Sequence, residues 1–259
     1  MQDNQNVRKL ILVTNDDSIN APGLKKLVES AVQFGDVIVA APTLPQSGQS
    51  SALSVEKPLR ISAHEDYCGA RMFSISGTPV DCVKLALNAI CPRKPDLVLA
   101  GINHGSNAGN AIIYSGTMGA VIEGCTVGIQ SIGFSLCSHS MEADFDLAKD
   151  YIINIIKRTF ENPLPKGVAL NVNIPAKIKP EGVRVCRAAC GHWSEEYARY
   201  VDPNGKPFYW LIGRFVNEEP DAADTDESWL SKGYISVVPV NIDMSDATQV
   251  EAKSDIYNM

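Results

Sequence analysis

Adjacent Asp16 and Asp17 follow the apolar run Leu10-Ile11-Leu12-Val13, and two further polar clusters follow similar runs. Val37-Ile38-Val39-Ala40 leads into a stretch from Ala41 to Ser51 that contains Ser47 and Gly48. Leu97-Val98-Leu99-Ala100 leads into a glycine- and asparagine-rich segment, Gly101 to Gly109, with Asn103, His104 and Asn107. Two carboxylates of like charge repel unless something compensates them. A hard divalent cation would do so, and oxygen donors favour Mg²⁺, Mn²⁺ or Ca²⁺ over zinc. The plainer alternative is that Asp16 or Asp17 caps the helix that follows. Tyr114-Ser115-Gly116-Thr117 precedes a helical pattern, and a helix N-terminus offers unpaired N–H groups and partial positive charge to an anion such as phosphate. An ordinary serine or threonine cap is the alternative there.

Several familiar site patterns are missing. Ser115 and Ser47 fail G-x-S-x-G, because Ile113 and Pro45 stand at the first glycine position. Gly101, Gly105 and Gly109 are spaced by four and miss the dinucleotide fingerprint, and no phosphate-loop G-x-x-x-x-G-K-[ST] occurs. Histidines 64, 104, 139 and 192 have no ligand spacing, and only His104 falls in a candidate loop. Seven cysteines, an odd number without a C-x-x-C pair, argue against a zinc ribbon or a disulfide framework. They fit a reducing, cytoplasmic setting.

The clusters must be positioned by the elements between them. Leu24, Leu27, Val28 and Ala31 recur at helical spacing, with Gly35 expected to end that helix. Thr78-Pro79-Val80-Asp81 reads as a capping box with proline at the first helical position. Met118, Val121, Ile122 and Cys125 mark another helix, Ile132 to Leu136 a strand, Phe145 to Thr159 a helix, and Val168 to Ile174 a strand. Strand alternating with helix predicts an α/β fold, a doubly wound, mostly parallel Rossmann-like sheet. In such a sheet ligands bind beyond the carboxyl ends of the strands, where the three clusters would meet. We expect a catalytic core over 1–182. Residues 183–259 are expected to form an extension of β-hairpins and an oligomerisation arm, within one structural domain overall. Tyr209, Trp210, Trp229 and Tyr234 lie in that extension and are costly to leave in water.

At 259 residues the chain can bury a substantial core. Hydrophobic residues make up 45% and charged residues 20%, as in ordinary globular proteins. Thirty acidic against 23 basic residues give a formal charge of −7, so no general attraction to nucleic acid or to an anionic membrane is expected. The polar start, Met1 to Lys9, matches neither a signal peptide nor a membrane span. An acidic chain that handles an anion must draw positive charge from a metal ion or from oriented N–H groups.

The ordered clusters resemble the survival protein SurE family of metal-dependent 5′-nucleotidases over nearly the whole chain. The resemblance rests on Ile11 to Asp17 with Gly23, on Ala41-Pro42 with Ser47-Gly48, and on Gly77-Thr78-Pro79-Val80-Asp81. It continues in Asp96 to Asn103 with Gly105 and Asn107, in Tyr114 to Thr117, in Asn171-Val172-Asn173-Ile174-Pro175, in Asp202 to Gly205, and in Thr225-Asp226. It implies that Asp16, Asp17, Ser47 and Asn103 ligate one divalent metal ion per subunit, Mg²⁺ or Mn²⁺. Asn107 and the Ser115-Gly116-Thr117 turn, with Gly48 beside them, would hold the phosphate of a nucleoside monophosphate. Homodimers or homotetramers with exchanged C-terminal arms are implied too, and the resemblance allows cleavage of polyphosphate. Ala100 and Val238 depart from the family's usual serine and threonine.

Chemistry and resemblance converge on hydrolysis of a phosphate monoester, with Asp16, Asn107 and Ser115 as the catalytic residues. Asp16 would orient or deprotonate the attacking water; Asn107 and Ser115 would stabilise charge on the phosphoryl oxygens. A haloacid-dehalogenase-like phosphatase needs D-x-D, which Asn15-Asp16-Asp17 lacks. A non-catalytic nucleotide- or metal-binding regulator is the alternative from another class.

Overall fold

Residues 8–257, apart from Met141, Lys177 and Ile178, are described by a computed structural model. The polar segment 1–7 lies outside the described residues. The chain runs β1 (Lys9–Thr14), α1 (Pro22–Ala31), β2 (Gly35–Pro42), β3 (Ile61–Ala63), β4 (Arg71–Ile75), α2 (Pro79–Ala89) and β5 (Leu97–His104). A 3₁₀ turn, Gly109–Tyr114, leads to α3 (Gly116–Thr126), then β6 (Gln130–Leu136), α4 (Lys149–Glu161) and β7 (Val168–Ile174). Then come β8 (Val183–Val185), β9 (Gly191–Ser194), β10 (Tyr197–Val201), β11 (Pro207–Leu211), β12 (Arg214–Asn217), α5 (Asp226–Ser231), β13 (Ile235–Asn241) and α6 (Ala247–Tyr257).

Nine strands form one sheet in the order β3-β4-β2-β1-β5-β6-β7-β13-β8. The six from β4 to β7 in that order are parallel to one another. β3 is antiparallel at one edge; β13 runs antiparallel to β7 and parallel to β8 at the other. From β1 the chain builds outward through β2 and β4, then returns to the far side of β1 for β5, β6 and β7. That reversal opens a crevice between the carboxyl ends of β1 and β5.

Strand alternation sorts the core into two layers. Ile11 and Val13 pack with α1 and α4 through Leu24, Leu27, Val28, Ile152 and Ile156. Leu10 and Leu12 face the opposite side, against Cys82, Val83 and Ala86 of α2 and Met118 and Val121 of α3. A sheet covered on both faces explains why its strands read as unbroken apolar runs. Thr78 and Asp81 form the expected capping box on α2.

The structure departs from the sequence reading in three places. Gly35 does not end α1, which stops at Ala31; it opens β2, pressed against the Lys9 carbonyl of β1. β5 continues into the glycine-rich segment as far as His104, with a register shift against β6 between Ala100 and Asn103. The helix expected from Phe145 begins as a 3₁₀ turn, Phe145–Ala148, and becomes α-helical at Lys149. Beyond residue 183, β9–β12 and β10–β11 form small antiparallel pairs, whereas β8 and β13 join the central sheet. The sheet thus draws on both sides of residue 182.

Candidate active site

β1 ends at Thr14, and Asp16, two residues beyond it, is 4% exposed. Its Oδ1 accepts a 2.6 Å hydrogen bond from the Thr117 hydroxyl. Burial pushes the Asp16 carboxyl up to about 6; the Thr117 bond pulls it partly back, and the Asp17 charge adds to the rise. Asp17, half-buried, is also raised, again mainly by burial, while its Oδ2 accepts the His104 backbone N–H at 3.0 Å. Both acids therefore sit where negative charge is disfavoured without a positive partner.

The second cluster is stitched over this point. Gln46 N–H donates to the Asp16 carbonyl at 2.7 Å, Ser50 N–H donates to the Tyr114 carbonyl, and the Ser50 hydroxyl donates to the Ile113 carbonyl. The loop can lie this close to α3 only because residue 119 is glycine. A Cβ there would stand 2.1 Å from the Ser50 carbonyl oxygen. Gly116 serves likewise at the helix start, where a Cβ would come within 2.9 Å of the Asp16 Cβ. Ser47 and Gly48 are left exposed at the rim.

The end of β5 supplies the third side. Asn103 donates from Nδ2 to the Gly105 carbonyl at 2.9 Å, which leaves its side-chain oxygen to accept. Asn107 is set by two buried amides and a buried hydroxyl: its N–H donates to Asn173 Oδ1, its Nδ2 donates to Ser135 Oγ, and its carbonyl accepts from Asn171 Nδ2, each at 2.8 Å. Two residues on, Gly109 N–H donates to Asp226 Oδ2 at 2.8 Å. The other Asp226 oxygen accepts from the N–H groups of Ala189 and Glu227. At the N-terminus of α3, Ser115 accepts from Met118 N–H, so its own proton remains free to donate.

A cleft of about 590 Å³ brings Asp16, Ser47, Gly48, Asn103, Asn107 and Ser115 together, with His104 and His139 also on its walls. Asp17 and Gly116 border the cleft through their neighbours: Asp17 follows Asp16 and accepts the His104 N–H, and Gly116 lies against Asp16. Thr117 has its side chain fully buried and its hydroxyl committed to Asp16, so its side of the phosphate contact expected of the turn falls to its backbone N–H in the first turn of α3. His104 turns aside, its Nε2 on the Ser140 carbonyl and its ring edge-on to Phe145. Among the described residues, no group of three or more His, Cys, Asp or Glu gathers to hold a metal. The donor set is mixed instead: two carboxylates, a hydroxyl and an amide oxygen. Hard oxygens of that kind, around acids that burial deprives of charge compensation, fit a Mg²⁺- or Mn²⁺-like ion and not zinc.

Sequence reasoning assigned no role to Asn171, Asn173, Ser135 or Asp226. Asn171 and Asn173, at alternate positions inside the apolar strand β7, were the available signal, because buried amides need partners. Nothing in the sequence placed Trp193 and Tyr197 on the same cleft.

Fold and site define a Rossmann-like α/β protein with an acidic, mixed-oxygen cleft at its strand-order reversal. The family described as Survival protein SurE matches residues 11–195. A protein of Christiangramia forsetii named 5′-nucleotidase SurE is 49% identical over 245 residues, covering 92% of this chain and 93% of its own. One of the same name from Phocaeicola vulgatus is 45% identical over 238 residues, covering 92% and 93%. The crystal structure of SurE protein from Aquifex aeolicus superposes with a TM-score of 0.81 at 33% identity, covering 95% of this chain and 99% of that one. This chain belongs to the SurE family.

Proposed function

We propose that this protein hydrolyses nucleoside 5′-monophosphates to nucleoside and phosphate, using one divalent cation per subunit, Mg²⁺ or Mn²⁺. The observation that carries the reading is the convergence of Asp16, Ser47, Asn103, Asn107 and Ser115 from three strand ends and a helix start on one cleft. Relatives named 5′-nucleotidase SurE over nearly the full chain support it.

Asp16, Asp17, Ser47 and Asn103 would hold the cation. When bound, it supplies the charge that polarises a phosphoryl oxygen and makes a water easier to deprotonate. Asp16, with one oxygen pinned by Thr117, presents the other to orient that water and take its proton. Ser115 donates its free hydroxyl proton to a phosphoryl oxygen. The second Nδ2 proton of Asn107, the one not given to Ser135, donates to another. Gly116 N–H, at the positive end of α3, and Gly48, on the facing loop, complete the phosphate cradle. These donors are aimed before the reaction, so charge that shifts on the phosphoryl oxygens meets fixed partners. Thr117 is a positioning residue.

The test is phosphate release from AMP with Mn²⁺ or Mg²⁺ and an EDTA control, for the wild type and Asp16→Asn. Metal-dependent release by the wild type and its near-complete loss in the variant are expected. No release from any monophosphate would overturn the reading and favour a binding protein.

Two finer points belong with this reading. Homo-oligomers form through the β10–β11 hairpin, on which Tyr209 is 61% and Trp210 64% exposed. Sedimentation of Trp210→Ser should show dissociation; an unchanged mass would move the contact elsewhere. Residence in the cytoplasm fits the free thiols, two of which, Cys82 and Cys125, are buried. Among the described residues, no helix is long and apolar enough to cross a membrane.

A further inference from the structure

The cleft has two unlike walls. One is the polar wall just described; the other comes from the C-terminal extension and carries Trp193, Tyr197, Leu211 and Ile212. We infer that Trp193 is the stacking platform for the nucleobase, with Tyr197 and Leu211 closing the slot, so that the extension recognises the base while the core handles the phosphate. The inference rests on the nucleotide reading above and names the part of the substrate that this wall holds.

Trp193 is held for such a role. It pairs across β9 and β12 with Phe215, whose ring meets the indole edge-on with centroids 6.2 Å apart. Gly213 lies against the indole from another side, where a Cβ would stand 3.1 Å from Cε3. Phe215 in turn abuts Gly109, which lies two residues from Asn107 and whose N–H is held by Asp226. The aromatic wall and the phosphate wall thus share one support. Despite these contacts Trp193 remains 37% exposed. An indole fixed by its neighbours and left open to a polar cleft offers a face for a flat ring at little entropic cost.

Tyr197 and Leu211 sit opposite one another in the β10–β11 register, so the two arrive at the cleft as a pair. Aromatic stacking accepts any base, because every base has a π face. The wall therefore favours a nucleotide over a bare sugar phosphate without demanding one base.

The experiment compares AMP with ribose 5-phosphate, which keeps the phosphate and sugar and lacks the base, on the metal-loaded full chain. Trp193→Ala should raise KM for AMP about tenfold or more with kcat little changed, as expected for loss of binding shared by ground and transition states. Ribose 5-phosphate kinetics should stay as in the wild type, and Trp193→Phe should recover most of the AMP affinity. A second readout needs no turnover: equilibrium dialysis of adenosine with Mn²⁺ present should show binding that Trp193→Ala weakens by a similar factor. Equal losses for AMP and ribose 5-phosphate would overturn the inference and make Trp193 a structural residue, as would adenosine binding that ignores the substitution. If the wild type releases no phosphate from either compound, the nucleotidase reading fails by itself, and dialysis still decides the stacking role.

Discussion

The Thr117 hydroxyl donates to Asp16 Oδ1 at 2.6 Å across 101 residues of sequence, joining the start of α3 to the end of β1. The bond fixes which Asp16 oxygen faces the cleft. Thr117→Val keeps the shape and removes the donor, leaving a buried carboxylate oxygen unmatched at a cost of about 1–3 kcal/mol. We expect kcat to fall by about tenfold or more, and Thr117→Ser to restore it; kinetics alongside denaturant melts check both.

Asp16→Asn should abolish turnover yet stabilise the metal-free protein at neutral pH. The folded carboxyl titrates near 6 and the unfolded one near 3.8, so between those values the folded state binds more protons. Stability from this group is complete below about 3.8 and is lost as pH rises through 6. By pH 7 the loss is on the order of 3 kcal/mol. Thermal melts in EDTA should therefore show wild type and variant converging near pH 4 and the variant ahead at pH 7. Added Mn²⁺ should raise the wild-type melting temperature and leave the variant nearly unmoved.

Gly119→Ala sets helix propensity against sterics. On an open helix surface alanine would stabilise by about 1 kcal/mol. Here the new methyl meets the Ser50 carbonyl oxygen, so the loop carrying Ser47 must move. Titration of metal-induced thermal shift should show weakened metal affinity, with secondary structure by circular dichroism unchanged.

Asp226→Ala strips the partner from three backbone N–H groups, on Gly109, Ala189 and Glu227. Buried donors left unpaired cost about 1–3 kcal/mol each. Urea unfolding should show a far larger loss than for Thr225→Ala, which removes an ordinary helix cap worth about 1 kcal/mol.

Much of the frame was legible because the central strands are buried on both faces and the helices carry clean stripes. Leu10 to Val13 and Leu24 to Ala31 needed only the two periodicities. Thr78 and Asp81 announced their helix through local capping chemistry. The three polar strand ends could be brought together because doubly wound connections leave few other arrangements. What stayed hidden depends on contacts distant in sequence. The commitment of Thr117 to Asp16 is one such case: a threonine after a serine cap reads as a ligand contact until the packing of α3 on β1 is known. Asp226 stands among the acids of the stretch Glu218 to Glu227, and only folding shows it enclosed by three amide donors. The reach of β5 to His104 was masked by glycines that usually mark loops.

The last long strand, β13, lies antiparallel against β7 and covers a hydrogen-bonding edge that the parallel strands leave bare. During synthesis that edge waits uncovered until residues 235–241 have left the ribosome. A message cut short before that point would yield a polypeptide whose exposed rim recruits other chains, so protection from clumping arrives with β13 and not with the parallel strands made before it.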